Sequence, residues 1–402
     1  MIQGRATLIV DLGNSSTKAT VLFGKDSQTG KYRARSFEVP NQFALIDEGY
    51  EVSADYSDAT STILRVDTVL NDHKVVGDFC NGELQEKEKP LAVIKPSASS
   101  KKYDLDSTVL SYRLALLFGC KAIMNMQRVS DFGALDIEWT VVTLLPPGDI
   151  DKGKQPMIDL ISSIDRVVSV YPQADIPIKI AKVAVLPEGY CAYAGIVFDV
   201  GNVFRPDFKF LIDEQVLVLD IGAGTTDICV ISNNTLVQNS KYTITQGGNN
   251  VYQLVRRKLM LQGLMLDDGA IKKGVLTGTV KDGSKLISVV EHVNSAKQEV
   301  AQKIISEVQN FFELTDIKAR SIGYVIICGG GSMSDSKAED IRPLSESVMN
   351  NFRALSPNSS LVDLPTKMVV KELEDGDTVK VEEQISPREL NLLGASILAE
   401  LL

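Results

Sequence analysis

The feature that most constrains the fold is residues 216–231, which read VLVLDIGAGTTDICVI. Two runs of Val, Leu and Ile, typical of buried strands, flank a polar turn that holds two glycines, two threonines and two aspartates. Glycine lets a ligand approach the backbone closely, and successive N–H groups in such a turn form an anion-binding concavity. A carboxylate at the end of the first strand suits a phosphate-bound Mg²⁺. The stretch therefore predicts a phosphate-binding hairpin.

The same design occurs at the N-terminus, where residues 8–22 read LIVDLGNSSTKATVL. Aligning Asp11 with Asp220 separates the two copies by 209 residues, about half of the chain. The other aligned pairs are Gly13 with Gly222, Thr17 with Thr226 and Lys18 with Asp227. A single Asp-x-Gly turn indicates only a hairpin. Two copies at half-chain spacing predict a duplicated fold whose two lobes hold one polyphosphate from both sides.

Composition narrows the class of function. A chain of 402 residues suits two or more domains, and the net charge of −10 argues against a broad grip on nucleic acid or anionic membrane. The five cysteines form no CxxC pair and the two histidines lack zinc-ligand spacing, so a zinc site or a Ser-His-Asp triad is not expected. With no signal-peptide pattern and no long apolar run, the sequence predicts a cytoplasmic protein.

Hydrophobic periodicity predicts the domain organisation. Lobe I covers 1–215 with a subdomain inserted at about 41–100, lobe II covers 216–385 with one at about 250–285, and a helix at 386–402 returns to lobe I. The other predicted elements are strands at 136–145, 179–186 and 324–328, and helices from Asp106, at 157–170, from Tyr190, from Val251 and at 288–314.

The order of these motifs resembles that of the actin/Hsp70/sugar-kinase superfamily. The motifs are a D-x-G hairpin, a strand ending in Pro-Glu before a helix, the D-I-G-A-G-T-T-D hairpin, a GGN turn, a strand ending in GGG, and a C-terminal Gly-Ala helix. Within the superfamily the chain is most similar to the bacterial actin-like proteins of plasmid segregation, the ParM and Alp type. The resemblance implies an α/β fold. It is a duplicated actin-like (RNase H-like) two-lobed ATPase fold, and each lobe has a mixed sheet with flanking helices.

The resemblance also implies roles for the first hairpin and for the strand-Pro-Glu turn. Asp11 would hold Mg²⁺ through water, and Lys18 would contact phosphate. The first phosphate loop would comprise Gly13, Asn14, Ser15 and Ser16. Glu188 would orient the hydrolytic water, a role in which placement matters more than basicity.

The second hairpin would supply the second phosphate loop, with Asp220 as the other metal-binding acid. Its loop residues are Gly222, Ala223, Gly224, Thr225 and Thr226. Asp227 either accepts a hydrogen bond from the attacking water or only braces the loop. The adenosine motif would be Gly329, Gly330, Gly331 and Ser332, and a further loop beside the nucleotide would be Gly247, Gly248 and Asn249.

Three further groups keep two interpretations each. Asn294 and Lys297 either touch the ribose or base, or lie on an exposed helix face. Asn391, Gly394 and Ala395 form either a hinge or a plain packing face. The basic clusters Arg256–Lys258 and Lys272–Lys273 are interpreted as solvated surface, with contact to a neighbouring subunit as the alternative.

The resemblance implies a filament-forming ATPase that binds ATP, or GTP, with Mg²⁺. Subunits would assemble head to tail, hydrolysis would drive polymer dynamics, and the role would be plasmid DNA segregation. The partner would be an adaptor protein bound to centromere-like DNA, with no direct contact to nucleic acid or membrane. The alternative is a small-molecule kinase of carbohydrate type, although such kinases usually carry aspartate near the position of Glu188. Chaperone-type and membrane-tethered relatives fit less well, because the chain has no peptide-binding domain and its last helix has no lysine.

Overall fold

The computed structural model describes residues 2–13, 16–25, 32–41, 43–46, 62–70, 73–81, 92–94, 106–332, 338–372 and 378–402. The chain forms two compact units. Unit 1 contains Met1–Glu188, Val200–Asn202 and Ala395–Leu402, and unit 2 contains Gly189–Asp199 and Val203–Gly394. The chain first passes from unit 1 to unit 2 after Glu188, and it passes back for the last time inside the C-terminal helix. The predicted limits of the two lobes stay predictions. The limits predicted for the inserted subdomains stay predictions.

Unit 1 is built on a five-stranded sheet and a six-stranded sheet. Its strands are β1 (Ile2–Leu12), β2 (Ser16–Lys25), β3 (Tyr32–Pro40), β4 (Phe43–Ile46), β5 (Thr62–Leu70), β6 (His73–Asn81), β7 (Ala92–Ile94), β8 (Leu135–Leu145), β9 (Arg166–Tyr171), β10 (Ala174–Pro177) and β11 (Lys179–Pro187). Its helices are α1 (Asp106–Gln127) and α2 (Ile150–Ser162). The strand orders are β11-β8-β1-β2-β3 and β10-β9-β5-β6-β4-β7. In the first sheet β1 is parallel to β8 and antiparallel to β2.

Helix α1 forms the centre of the unit 1 core. Its side chains pack with those of β1, β2 and β8 in one apolar cluster that includes Leu110, Leu114 and Trp139. The segment Thr108–Gln127 is long and apolar enough to cross a membrane, yet 83% of it is buried inside the protein. It is therefore accounted for as the core helix of this unit.

The predicted helix at 157–170 is wrong in its second half. Helix α2 ends at Ser162, and Arg166–Tyr171 is instead strand β9, paired with β5 and β10. The run RVVSVY is rich in β-branched residues, and its side chains alternate between two faces. Because neighbouring strands are available for pairing, this run forms a strand and does not continue the helix.

Unit 2 repeats the arrangement of the first sheet. Its strands are β12 (Phe198–Asp199), β13 (Val203–Phe204), β14 (Gln215–Ile221), β15 (Thr226–Ser232), β16 (Thr235–Leu236), β17 (Tyr242–Ile244), β18 (Thr279–Asp282), β19 (Lys285–Ser288), β20 (Tyr324–Cys328), β21 (Ser360–Leu361), β22 (Thr366–Glu372) and β23 (Thr378–Gln384). Its main sheet has the order β16-β15-β14-β20-β21, with β17 also paired to β15. As in unit 1, the first strand pairs antiparallel with the second and parallel with a later one.

The helices of unit 2 cover this sheet. They are α3 (Glu188–Val197, whose first residue belongs to unit 1), α4 (Gly248–Met260), α5 (Asp268–Thr277), α6 (Val290–Leu314), α7 (Leu344–Phe352) and α8 (Leu390–Ala399, which ends in unit 1). In the long helix α6, one stripe of residues is buried in the same apolar cluster as residues of β14 and β20: Val293, Val300, Ile304, Val308 and Phe311. The β22–β23 ribbon was not predicted from the sequence.

Candidate functional site

The two D-x-G hairpins have the same backbone geometry, each within its own unit. Asp11 stands opposite Lys18 in the β1–β2 register, and Asp220 stands opposite Asp227 in the β14–β15 register. The turn bond is also shared: Gly13 N donates to Ser16 O at 3.0 Å, and Gly222 N donates to Thr225 O at 2.8 Å. The alignment inferred from the sequence therefore matches the register of both hairpins.

In the first hairpin the acid and the lysine face each other. Asp11 is buried, and its Oδ2 lies 4.0 Å from Lys18 Nζ in a mostly buried ion pair. Ser16 Oγ donates to Glu38 Oε1 on the neighbouring strand β3. Asn14 and Ser15 lie outside the described residues. The hairpin thus presents a cation beside its acid, as an anion-binding loop requires.

Two residues that the sequence did not single out brace this loop. Asn41 Nδ2 donates to Gly13 O at 2.7 Å, and Ser111 Oγ on α1 donates to Asn41 Oδ1. Thr17 Oγ1 is buried with no hydrogen-bond partner in the part of the chain that the structure describes. A buried hydroxyl without a partner is costly, so this atom is a candidate for a ligand contact.

In the second hairpin the GGN turn supports the loop from behind. Gly248 N donates to Gly222 O at 3.0 Å and Asn249 N donates to Ala223 O at 2.7 Å. Gly247 N is taken by Asn250 Oδ1 at 2.8 Å. These three N–H groups at the start of α4 are therefore committed to the protein. The predicted contact of this turn with a nucleotide stays a prediction, and it would have to use other atoms.

The glycine triplet packs directly on the same loop. Gly329 has φ +86°, and a Cβ there would collide with Asp220 Oδ1, whereas a Cβ on Gly331 would collide with Gly222 O. Both positions accept only glycine, because backbone touches backbone. Ser332 Oγ donates to Gly329 O at 2.8 Å and so closes the turn.

Both acids of the second hairpin are buried and hydrogen-bonded. Asp220 Oδ2 accepts from Asn391 Nδ2 at 2.5 Å, and Asp227 Oδ1 accepts from Thr243 Oγ1 on β17. The contact with Thr243 supports a bracing role for Asp227. Burial, together with the charges of Asp227 and Asp220, raises the pKa of the neighbouring Cys229 thiol, which keeps it protonated and inert.

Glu188 is the first residue of α3 and is almost fully buried. It follows the end of β11, where Pro187 is still paired with Leu145 of β8. A carboxylate at a helix N-terminus is stabilised by the helix dipole. The fold therefore places Glu188 at the carboxyl end of the unit 1 sheet, an edge where α/β folds commonly bind ligands.

The interpretation of an exposed helix face is wrong for Lys297. The side chain is only 1% exposed, its Nζ donates to Arg342 O at 2.7 Å, and burial lowers its pKa to about 8. Asn294 lies one turn earlier and holds the same loop, by donating to Asp340 O at 2.8 Å and accepting from Arg342 N at 3.2 Å. In the structure both side chains position residues 340–342.

Helices α3 and α8 cross with backbone contact. A Cβ on Gly394 would collide with Cys191 O, and one on Gly195 would lie 2.8 Å from Leu390 O. The chain passes between the units just after Gly394, and α3 begins at another such passage. The small residues expected at a hinge are thus at the close approach of these two helices.

The donor set suits Mg²⁺ held mainly by other ligands. Among the described residues no group of three or more His, Cys, Asp or Glu side chains could hold a metal ion. Mg²⁺ bound to a nucleotide usually takes one or two carboxylates, with phosphate oxygens and water completing its octahedron. Asp11 and Asp220 each offer a carboxylate of this kind within their own unit, and their role as metal-binding acids stays a prediction.

Comparison with known proteins agrees with this architecture. Residues 218–336 match the model of the C-terminal region of the archaeal actin homologue MreB-like family. The crystal structure of the actin-like protein Alp7A aligns with a TM-score of 0.67 and 16% identity over 100% of this chain and 97% of that one. The archaeal actin homologue Ta0583 in complex with ADP aligns with a TM-score of 0.62 and 14% identity over 99% and 100%.

A 15-stranded ParM filament from Clostridium botulinum aligns with a TM-score of 0.60 and 17% identity over 99% of both chains. No curated protein sequence matches the chain. At these identities the likeness establishes the fold: this is an actin-like α/β protein. The predicted duplicated actin-like fold is confirmed. The resemblance to the ParM and Alp type is also confirmed at the level of the fold.

Proposed function

We propose that this protein is a nucleoside triphosphatase, using ATP or GTP with Mg²⁺, that assembles into filaments and hydrolyses the nucleotide to drive polymer dynamics. The observation that carries the proposal is the pair of D-x-G hairpins with identical register and turn bonds, one in each unit of an actin-like fold. The similar structures include an ADP complex and a ParM filament, which supports the proposal by analogy.

Each hairpin has its own task in binding. Lys18 and the N–H groups of the first loop bind the phosphates, and Asp11 and Asp220 hold the metal ion. When bound, Mg²⁺ offsets the charge that develops on the transferred phosphoryl group. Glu188 orients a water molecule for attack, and Asp227 fixes the second loop through Thr243. The glycine triplet gives adenine and ribose a bare backbone surface to lie on.

Self-association is supported by an exposed apolar loop after α4, which we call the 260–265 loop. Leu261 is 82% exposed and Met265 is 78% exposed, so two large apolar side chains reach solvent in one short loop. Basic residues occur in the helices on either side of the loop: Arg257 lies in the last turn of α4, and Lys272 and Lys273 are exposed on α5. An apolar tip flanked in the chain by basic residues would suit a partner surface with an apolar floor and an acidic rim.

Unit 2 also carries such a surface, at the end of α6. A groove of about 390 Å³ has Phe312, Ile317 and Leu355 among its lining residues, and Glu313 and Asp316 on its rim. The last turn of α6 contains no basic residue, so the negative end of the helix dipole adds to these charges. Lys318 is the one cation among the described lining residues.

The occupant that fits this groove is the 260–265 loop of a second copy of this chain. The two surfaces differ, so the contact is heterologous, and repeating it adds subunits without limit if the rotation does not close a ring. This geometry gives head-to-tail assembly with a defined polarity. The basic clusters, interpreted from sequence as solvated surface, then become the rim of a subunit contact.

Sedimentation with and without ATP and Mg²⁺ tests the proposed function. We expect the protein at tens of micromolar to pellet with ATP and Mg²⁺, to stay in the supernatant without nucleotide, and to release phosphate as the polymer ages. A protein that remains monomeric and releases no phosphate under these conditions would refute the proposal.

A cytoplasmic role in plasmid DNA segregation completes the proposal. Filament ends would engage an adaptor protein that is itself bound to centromere-like DNA. The net charge of −10 supports an adaptor, because an acidic protein is a poor direct ligand for DNA or for an anionic membrane. Co-sedimentation of the filaments with plasmid DNA only in the presence of the adaptor is the corresponding test.

A further inference from the structure

The side chain of Asn391 occupies a place that the proposed roles leave unexplained. It lies in the first turn of α8, is only 7% exposed, and its Nδ2 donates to Asp220 Oδ2 at 2.5 Å. On the other side of the carboxylate, Asp220 Oδ1 lies against the backbone of Gly329. Asp220 is therefore held at Oδ2 by a side chain from the C-terminal helix.

The hydrogen bond fixes which way the amide of Asn391 points. Only Nδ2 can donate to an ionised carboxylate, because Oδ1 in its place would repel the negative charge. Oδ1 must then face the opposite way, where it is buried without a hydrogen-bond partner among the described residues. A buried acceptor without a donor destabilises the protein, so its retention beside a ligand-binding acid indicates that the ligand supplies the donor.

We propose that Asn391 is a positioning residue of the metal–nucleotide site: Nδ2 orients ionised Asp220, and Oδ1 accepts a hydrogen bond from a water molecule of the Mg²⁺ hydration shell. The inference rests on the proposed function, since it assumes a Mg²⁺–nucleotide ligand. Mg²⁺ dehydrates reluctantly and keeps several waters in protein sites, and outer hydrogen-bond partners commonly orient its carboxylates.

Isothermal titration calorimetry with a nucleoside triphosphate tests the inference in two buffers, one with Mg²⁺ and one with EDTA. We expect N391L, which keeps the volume but removes the amide, to bind the nucleotide about 10- to 100-fold more weakly with Mg²⁺. Its affinity in EDTA should stay within about twofold of the parent, because Asn391 is proposed to act on the nucleotide only through bound Mg²⁺, which EDTA removes. The matched control is E389Q, which changes an exposed carboxylate bonded to Lys367 just before the same helix.

Equal weakening of N391L in both buffers would show a merely structural role and overturn the inference, as would unchanged binding in both. A parent protein that binds no nucleotide in either buffer would refute the proposed function and this inference with it. Binding by the parent with an unaffected N391L would overturn this inference alone. Thermal unfolding of each variant separates loss of folding from loss of binding.

A swapped pair separates the two atoms of the amide. N391D alone places two carboxylates side by side and should lower the melting temperature, whereas the double variant D220N/N391D restores one acid and one amide. We expect the double variant to recover melting temperature but not Mg²⁺-dependent binding, because its acid now lies on α8. Recovery of Mg²⁺-dependent binding by the double variant would contradict the assigned positions of acid and amide.

Discussion

At the scale of single residues, the role proposed for Glu188 separates nucleotide binding from hydrolysis. Replacing it with alanine leaves both hairpins intact, so Glu188→Ala should bind nucleotide and assemble like the parent. Phosphate release should fall by about 100-fold or more, since a positioned acid–base group contributes roughly that much. A continuous phosphate-release assay beside calorimetric titration measures both quantities.

The control for this variant is Glu138→Ala, which removes an exposed glutamate paired with Arg5 in the same unit. It should leave phosphate release unchanged. Parent-like hydrolysis by Glu188→Ala would show that another group orients the water.

Replacing Asp220 should affect nucleotide binding itself, in contrast to replacing Glu188. Asp220→Ala removes the acid proposed to hold the metal ion and the partner of Asn391 together, so we expect Mg²⁺-dependent nucleotide binding to weaken by at least about tenfold. Titration calorimetry gives the affinity, and a melting curve shows whether the fold is retained. A folded variant with parent affinity would remove Asp220 from the proposed site.

The buried ammonium of Lys297 should make stability depend on pH. Its pKa is about 8 in the folded protein and 10.5 in a model peptide. Below pH 8 the ammonium is protonated in both states and its burial opposes folding. Between pH 8 and 10.5 the folded state has lost the proton and the unfolded state has not, so the free energy of unfolding rises with pH, by an amount on the order of 3 kcal/mol.

Lys297→Met should abolish this rise, measured by urea unfolding at pH 7.5 and 9.5. The control is Lys303→Met, which changes an exposed lysine on the same helix and should keep the parent slope. The same rise in Lys297→Met as in the parent would assign the pH dependence to another group.

Candidate site residues that belong to a short sequence motif could be singled out from the sequence. The distant residues that form hydrogen bonds to them could not. Asp11, Asp220 and Glu188 occur in short motifs whose spacing reflects strand, turn and helix. Asn41 and Asn391 reach their partners across 28 and 171 residues of chain. No periodicity records such a contact, because only the folded chain brings the two ends together.

At the scale of elements, errors occurred where pairing with distant strands decides the outcome. Strand β9 was predicted as the end of a helix, and its partners β5 and β10 come from both sides of it in the chain. The β22–β23 ribbon was missed for a related reason, since its strands mix charged and β-branched residues. Long periodic elements such as α6 were predictable, because one buried stripe fixes both their type and their orientation.

The crossing of α3 and α8 gives an element-scale prediction. Gly394→Ala forces a methyl group into the carbonyl of Cys191, so we expect loss of at least about 1–3 kcal/mol of stability, as for overpacking. Urea unfolding measures it. Gly269→Ala is the control, because a Cβ there meets only the side-chain oxygen of Asp267 at 3.3 Å. Equal stability of the two variants would contradict the close approach.

At the scale of the whole molecule, assembly should depend on the 260–265 loop. Leu261→Glu places a negative charge at the apolar tip that we expect to enter a groove rimmed by Glu313 and Asp316. The critical concentration for ATP-dependent pelleting should therefore rise at least about tenfold, with nucleotide binding unchanged. Quantitative sedimentation over a range of protein concentrations gives the value.

The matched control is Leu286→Glu, which charges an equally large apolar side chain, 69% exposed on the β18–β19 hairpin. It should assemble like the parent. Parent-like assembly by Leu261→Glu would place the subunit contact on another surface.

The duplicated fold was the most predictable property of the whole chain, since two matching hairpins 209 residues apart reveal it. The division of the chain into two units was less predictable from the sequence. The chain crosses between units within helices and short strands, and neither composition nor a polar linker marks those positions.

The residue that faces the acid in each hairpin makes the twin motifs unequal. One hairpin sets a lysine opposite its aspartate, and the other sets a second aspartate there. The first hairpin therefore balances its acid with a cation, whereas the second places two acids opposite each other. A difference at a single register position thus gives two copies of one motif opposite electrostatic character.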